Sequence, residues 1–282
     1  MVSVPLSEFL AQDVPMILVE ITGIKGSSPR DSGTFMLVSN NTLWGTIGGG
    51  QLEYLAIDEA RRMLKCGSEA EFMDVPLGPE IGQCCGGRCA ISLHKVDGYL
   101  KQSLIEKALR EQEDHPAIYI FGSGHVGKAL AEALTLLPLK VTVIESRAQE
   151  LRGLNEKAKS VLNVMPESLV SHIPAGSAVV ILTHDHAQDF LIGAECLKRS
   201  DLAYIGMIGS DTKRATFLSF LKREGVAASA TQRLTMPIGD KRLNDKRPEM
   251  IAAMVVPQIL LALQDFSKTK TQRPSEAASQ NV

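Results

Sequence analysis

The chain has 282 residues, 44% of them hydrophobic, and a formal net charge of −2 at pH 7. This length suits two domains with sizeable cores, and the near-neutral charge gives no attraction to nucleic acid or to anionic lipid. The first residues lack the basic and apolar regions of a secretory signal, and the apolar run at 254–263 is too short for a transmembrane helix. Because the chain has five cysteines and no visible export signal, we expect reduced thiols and a cytoplasmic protein without membrane or nucleic-acid partners.

Residues 1–97 are predicted to form an N-terminal α+β domain. Alternating Val- and Ile-rich segments predict strands, two of which form a hairpin around Asn40-Asn41. The turn Gly48-Gly49-Gly50 is followed by an apolar stripe with helical spacing. The predicted elements are strands at 14–25, 34–39, 42–47, 70–75 and 89–96 and a helix at 51–65.

Residues 117–266 alternate regularly between apolar strands and helices. Such a pattern is typical of a parallel sheet that is covered on both faces. We therefore predict an α/β, doubly wound, Rossmann-like domain, with a connecting helix within 98–116 before it and a disordered tail at 267–282 after it. The predicted elements are strands at 117–121, 141–145, 161–164, 178–183 and 204–208 and helices at 125–136, 190–199, 211–224 and 248–266, the last bent by Pro257.

The motif Gly122-x-Gly124-x-x-Gly127 stands between a predicted strand and a predicted helix. Its glycines allow a tight turn and the close approach of a phosphate, which the N–H groups of the helix then bind. Glu145 ends the next strand, where an acid is expected to bind a ribose, and Arg147 is placed to neutralise a phosphate. The alternative is that the glycines serve only the turn and the packing, and that Arg147 is solvated. The candidate binding residues of this region are Gly122, Gly124, His125, Gly127, Glu145 and Arg147.

Two other strand ends of this domain carry polar residues, and ligands of a doubly wound sheet lie at the carboxyl ends of its strands. His184 and His186 follow one strand, and Gly209 and Ser210 follow the next. The histidines are candidates for orienting a ligand or, less favoured, for holding a metal. Gly209 and Ser210 are candidates for holding a phosphate, with helix capping as the alternative.

The turn Gly48-Gly49-Gly50 is a second candidate for anion binding. Its amides would cradle a phosphate, and Gln51 and Glu53 would add polar contacts. The alternative is a tight strand-to-helix turn without a ligand.

Cys84 and Cys85 are adjacent and flanked by glycines, which predicts an accessible backbone rather than a core. Arg88 nearby is expected to lower the pKa of a neighbouring thiol. Thiolates suit soft metals and sulfur transfer, whereas the spacing of the cluster matches neither a zinc site nor an iron–sulfur site. Cys66 and Cys196 stand in helical patterns and are expected to be fillers.

The order of these motifs along nearly the whole chain resembles that of the XdhC/CoxI family. Glu145 stands where many relatives have Asp, and the longer acid still reaches a hydroxyl. The matching segments are Gly26-Ser27-Ser28-Pro29-Arg30, Gly45-Thr46-Ile47-Gly48-Gly49-Gly50 with Glu53, Gly82-Gln83-Cys84-Cys85-Gly86-Gly87, Gly122-Ser123-Gly124-His125-Val126-Gly127, Thr183-His184-Asp185-His186, Tyr204-Ile205-Gly206-Met207-Ile208-Gly209-Ser210, Pro237-Ile238-Gly239 and Lys246-Arg247-Pro248-Glu249.

The resemblance implies an accessory protein without catalytic residues of its own. Such a protein binds molybdenum cofactor in its molybdopterin form, protects it, supports the exchange of an oxo ligand for sulfur, and delivers it to apo xanthine dehydrogenase. A cysteine desulfurase is the implied second partner, and the oligomeric state stays open, with a homodimer among the options. We expect Cys85, supported by Cys84, to contact molybdenum or the incoming sulfur.

Two other functions fit parts of the sequence. An NAD(P)-dependent oxidoreductase would explain the glycine motif, although no Tyr-x-x-x-Lys dyad accompanies it. A thiol redox sensor would use Cys84, Cys85 and Cys89 in a reversible disulfide. The fold alone does not separate these functions.

Overall fold

The computed structural model describes residues 4–28, 30–78, 86–240, 242–243 and 245–272. Cys84 and Cys85, the two thiols singled out by the sequence, lie outside the described residues. The chain divides into two compact units, Met1–Glu113 and Asp114–Val282.

The first unit contains a five-stranded antiparallel sheet with the strand order β3-β2-β1-β5-β4. The predicted strands, the hairpin and helix α2 are confirmed, whereas the five-residue helix α1 was not predicted. Its elements are α1 (Leu6–Leu10), β1 (Ile17–Lys25), β2 (Phe35–Val38), β3 (Leu43–Gly45), α2 (Gly50–Cys66), β4 (Ala70–Leu77), β5 (Gly87–Lys95) and α3 (Gly98–Asp114).

Helices cover both faces of this sheet, because strand β1 carries apolar residues on each face. Ile17 and Val19 belong to the cluster that packs against α2, and Leu18 belongs to the cluster that packs against α1 and α3. The buried side chain of Leu104 in α3 is part of the latter cluster. The helix predicted as a connector within 98–116 is therefore a structural part of the first unit.

The second unit contains a six-stranded parallel sheet with the order β11-β10-β9-β6-β7-β8. Counted within the unit and from β8, this order is 3-2-1-4-5-6, the order of the Rossmann fold. The predicted doubly wound domain is confirmed. Its elements are β6 (Ala117–Phe121), α4 (His125–Leu134), β7 (Lys140–Glu145), β8 (Lys159–Leu162), β9 (Ala178–Ile181), α5 (His186–Lys198), β10 (Tyr204–Met207), α6 (Asp211–Arg223), β11 (Leu234–Thr235) and α7 (Pro248–Gln272).

Every residue of β9 and β10 is buried, which explains their continuous apolar sequences. Helices α4 and α7 contribute to the core on one face of the sheet, and α5 and α6 contribute to the core on the other. The two-residue strand β11 was not predicted, since it is too short to carry a pattern.

Helix boundaries differ most from the prediction at two places. Helix α5 begins at His186, four residues early, because the side chain of Asp185 accepts a hydrogen bond from the backbone N–H of Ala187 at 2.8 Å and caps the helix. Helix α7 continues through Pro257 to Gln272, so that the segment predicted as a tail begins within the helix, and residues 273–282 lie outside the described residues.

Helix α7 is also long and apolar enough, over Pro248–Thr269, to cross a membrane by length and composition. Its residues Ala252, Val255 and Ile259 are buried in the core of the second unit. Of the apolar window, 22% is buried, so one stripe of the helix packs into this core.

Candidate functional site

The carboxyl ends of β6 and β9 meet where the two halves of the parallel sheet join. Gly122, just after β6, has a φ of +110°, and a Cβ atom there would lie 2.4 Å from the backbone oxygen of Leu182. A Cβ atom at Gly127 would lie 2.2 Å from the backbone oxygen of Gly122. Both glycines are therefore required by the close packing of the turn, helix α4 and the end of β9.

A cavity of about 240 Å³ opens at this point, and we call it the switch-point cavity. The N-terminus of α4 carries a partial positive charge and Arg147 carries a full one, so the cavity suits an anionic group. Five of the residues predicted from sequence line it together: Gly124, His125, Gly127, Arg147 and His184. The other lining residues are Val126, Leu182, Thr183 and Ile208.

Glu145 has a different environment from the one expected of a ribose-binding acid. Its side chain is 2% exposed, and both carboxylate oxygens are bound within the protein. Oε2 accepts from the N–H of Ser123 in the glycine turn at 2.9 Å, and Oε1 accepts from Ser146 N at 2.9 Å and from Arg147 Nε at 3.2 Å. Glu145 therefore stabilises the glycine turn, and a ribose hydroxyl would have to compete with these hydrogen bonds.

The contacts with Arg147 keep the carboxyl group of Glu145 ionised. Burial alone would raise the pKa of Glu145, but the hydrogen bonds from the Arg147 side chain and from the N–H groups of Ser123 and Arg147 outweigh it and lower the pKa. The Arg147 guanidinium, bound to the same carboxylate, has its pKa raised in turn. The pair is ionised at neutral pH, and Arg147 is held in place at the cavity.

The loop after β9 is fixed by a buried carboxylate. Asp189 is fully buried and accepts from Thr183 N at 2.9 Å and from Thr183 Oγ1 at 2.7 Å. It also forms an ion pair with Lys213, whose Nζ donates to the backbone oxygen of Ile208 at 3.0 Å. The pair of Asp189 and Lys213 therefore links the ends of β9 and β10.

The remaining candidates of this unit lie outside the lining of the cavity. Ser210 caps α6, because its Oγ accepts from Lys213 N at 3.2 Å, and a Cβ atom at Gly209 would lie 2.6 Å from Met236. His186 is the first residue of α5 and is exposed. Within the described part of the chain, no group of three or more His, Cys, Asp or Glu side chains could hold a metal ion.

The turn Gly48-Gly49-Gly50 in the first unit binds a carboxylate of its own chain. Glu53 Oε2 accepts from the N–H groups of Ile47 and Gly49, both at 3.1 Å, and from the hydroxyl of Thr46. Of the amides that were expected to cradle a phosphate, that of Gly49 is thus already bound to Glu53, and that of Gly48 donates to the hydroxyl of Thr46 at 3.1 Å. Gln51 lies exposed on the first turn of α2.

Comparison with known proteins identifies the family. A sequence model of the XdhC Rossmann domain matches residues 118–259, and a model of the XdhC and CoxI family matches residues 9–74. The chain belongs to the XdhC and CoxI family. The resemblance predicted from the motifs is confirmed.

Two known proteins are similar to this chain. The chain is 26% identical over 260 residues to the uncharacterized protein YqeB of Escherichia coli K12, in a match that covers 88% of this chain but only 44% of YqeB. Its fold is similar to a solved structure described as a xanthine dehydrogenase from Bacillus halodurans, with a TM-score of 0.74, 18% identity and coverage of 93% and 96% of the two chains. At 18% identity the second likeness concerns the fold alone.

The cysteines of this XdhC and CoxI family member differ in accessibility. Cys89 is fully buried in β5, and burial raises the pKa of its thiol, which argues against a role in a redox pair. Burial likewise raises the pKa of Cys196 to about 12, whereas Cys66 is exposed. Arg88, expected to lower the pKa of a neighbouring thiol, forms an ion pair with Asp74 at 2.7 Å.

One contact that the sequence did not reveal involves Gln258 in α7. Its Nε2 donates to the backbone oxygen of Gly239 at 2.9 Å, and its Oε1 accepts from Gly239 N at 3.2 Å and from the hydroxyl of Tyr204 at 2.9 Å. It attaches the family segment Pro237-Ile238-Gly239 to the C-terminal helix. A single glutamine within an apolar run was the only signal in the sequence.

Proposed function

We propose that this chain is an accessory protein in the maturation of an enzyme of the xanthine dehydrogenase type. It binds molybdenum cofactor in the molybdopterin form, protects it, supports its sulfuration together with a cysteine desulfurase, and delivers it to the apoenzyme. It acts in the cytoplasm and has no catalytic step of its own. Family membership supports this role, and the observation that carries it is the switch-point cavity, where a helix N-terminus and Arg147 meet.

The phosphate of the cofactor fits the switch-point cavity better than the turn Gly48-Gly49-Gly50. The amides of Ile47 and Gly49 are bound to Glu53, whereas the N-terminus of α4 lines an open cavity. The charge of Arg147 is partly compensated by Glu145 and Glu150, so the helix N-terminus supplies a second favourable contact for a phosphate.

The thiols Cys84 and Cys85 are proposed to act at molybdenum or at the incoming sulfur. The chain would be co-expressed with the cofactor synthesis enzymes, purified, and analysed for molybdenum and for pterin fluorescence. We expect near-stoichiometric molybdenum and pterin. Replacement of both cysteines by serine is expected to abolish the reconstitution of apo xanthine dehydrogenase while the chain stays folded, because serine supplies no thiolate.

The matched control is Cys66→Ser, which removes an exposed thiol outside this cluster and is expected to leave reconstitution unchanged. Undiminished reconstitution by the double variant would reject the role of the cysteine pair. Absence of molybdenum and pterin from the wild-type chain would count against the carrier function as a whole.

A second candidate function is NAD(P)-dependent oxidation or reduction. The strand order and the motif Gly122-x-Gly124-x-x-Gly127 favour it, since they are shared with dinucleotide-binding domains. The hydrogen bonds that occupy Glu145 count against the usual contact between this acid and a ribose. Titration with NADH and NADPH, followed by a hydride-transfer assay, tests this candidate directly.

A further inference from the structure

A larger cavity, of about 520 Å³, lies in the second unit beside helix α4. Its walls come from α4, from the segment 153–155 and from the start of α7, and we call it the α4–α7 groove. The charged side chains along it are Lys128, Glu132 and Glu249. None of the three lines the switch-point cavity, so the groove is a separate feature of the surface.

We propose that the α4–α7 groove binds the pterin ring of the cofactor while the phosphate lies in the switch-point cavity. This inference rests on the proposed function and adds the recognition of the ring to it. Three properties of the groove support it: its walls, its hydrogen-bonding groups and its position next to the switch-point cavity.

The walls of the groove suit a flat ring. Ala129 and Ala133 lie one helical turn apart on α4, and Ala253 faces the same groove from α7. None of these side chains extends beyond Cβ, so they leave smooth apolar surfaces. Pockets of several hundred Å³ with mostly apolar walls and a few polar groups are typical of small-molecule sites.

A carboxylate is held at the groove in a defined position. Asn155 Nδ2 donates to Glu132 Oε2 at 3.1 Å, and Asn155 Oδ1 accepts from Lys157 N at 2.9 Å, so the amide is fixed on both sides. The pyrimidinone edge of a pterin carries an amino group and a ring N–H side by side, and a carboxylate accepts from two such donors. Lys128, one turn earlier on α4, supplies a donor for the ring carbonyl.

His125 lines both cavities, so the groove and the switch-point cavity lie next to each other at the start of α4. Glu132 follows it by seven residues on the same helix, a distance of about 10 Å along the axis. An elongated ligand with a phosphate at one end and a ring at the other therefore fits along α4. A dinucleotide on a Rossmann fold instead lies across the carboxyl ends of the strands.

The test measures binding of free 6-hydroxymethylpterin, which carries neither molybdenum nor phosphate, by its fluorescence. Glu132→Gln removes one charged acceptor, and Ala253→Trp fills the groove from an exposed position on α7. We expect each to weaken pterin binding at least about tenfold. Two matched controls, the exposed Glu224→Gln and the exposed Leu261→Trp on the same helix as Ala253, are expected to bind as the wild type does.

Competition with nucleotides tests which kind of ring the groove binds. GMP shares the amino-pyrimidinone edge and AMP lacks it, so we expect pterin to be displaced by GMP more readily than by AMP. Binding of GMP without binding of pterin would overturn the pterin assignment in favour of a guanine. Pterin affinity that is unchanged in both groove variants, with circular dichroism showing that they are folded, would overturn the site itself.

Co-purification separates this inference from the proposed function. Wild-type chain that carries molybdenum and pterin, together with groove variants that carry as much, would leave the carrier function standing and reject the groove. Failure of the wild-type chain to bind free pterin would also reject the groove. A chain that binds free pterin in the groove but never carries molybdenum would reject the carrier function alone.

Discussion

The two glycine-rich turns look alike in sequence, and each binds a glutamate carboxylate of its own chain, but the second turn also lies at an open cavity. In the first unit, the turn Gly48-Gly49-Gly50 encloses the carboxylate of Glu53, which occupies the amides of Ile47 and Gly49. In the second unit, Glu145 takes the amide of Ser123 and leaves the N-terminus of α4 at an open cavity. A glycine-rich turn before a helix thus marks a place for an anion, and that anion can be a side chain of the same protein.

The largest expected effect is a loss of stability when Gly122 is replaced, whereas replacement of Gly124 in the same turn should have little effect. Gly122→Ala places a methyl group 2.4 Å from Leu182 O at a φ of +110°, and we expect a loss of about 3 kcal/mol or more in the free energy of unfolding. Gly124→Ala is the control, because its φ is −72° and a Cβ atom there meets nothing within 4 Å. Denaturant unfolding followed by circular dichroism measures both, and equal stabilities would contradict the packing argument.

A smaller effect is expected at the first turn. Glu53→Ala removes the acceptor of two amides and one hydroxyl, and we expect a loss of about 2 kcal/mol. Trp44, the single tryptophan of the chain, lies in β3 of the same unit and reports its unfolding by fluorescence. Glu111→Ala, an exposed position in α3, is the control. A variant as stable as the wild type would mean that Glu53 does not hold the turn, which would then be available to a ligand.

The smallest expected effect is a change in how the stability of the chain depends on pH. The pKa of Glu145 is lowered from 4.5 in the folded chain, so its contribution to stability is complete above that value and is lost as the pH falls through the folded pKa. Arg147→Gln removes the main stabilising partner and leaves the burial, so the pKa should rise and the loss should begin at a higher pH. Urea unfolding between acidic and neutral pH measures this shift. Identical profiles for Arg147→Gln and for the control Arg152→Gln would exclude the ion pair as the cause.

Much of the fold could be predicted from sequence because periodicity reports burial. The continuous apolar runs of β9 and β10 predicted buried parallel strands, and the alternation of β1 predicted a strand in a sheet. Short elements such as α1 and β11 carry too few residues for a pattern, and the early start of α5 depended on a single side-chain bond from Asp185.

The sequence predicted which residues form the candidate site better than it predicted what each residue binds there. Motif spacing brought Gly124, Arg147 and His184 to one cavity, as parallel strand ends require. The partners of Glu53 and Glu145 depend on side-chain direction, which no one-dimensional pattern encodes. For the same reason the sequence did not reveal that Arg88 pairs with Asp74 on the neighbouring strand.

The buried pair of Asp189 and Lys213 has a consequence for how this protein can vary. Replacing either residue alone leaves the other charge buried without its partner, which costs far more than losing both together. The effects of single and double substitutions should therefore be strongly non-additive. Over evolutionary time, substitutions at the two positions are therefore expected to occur together.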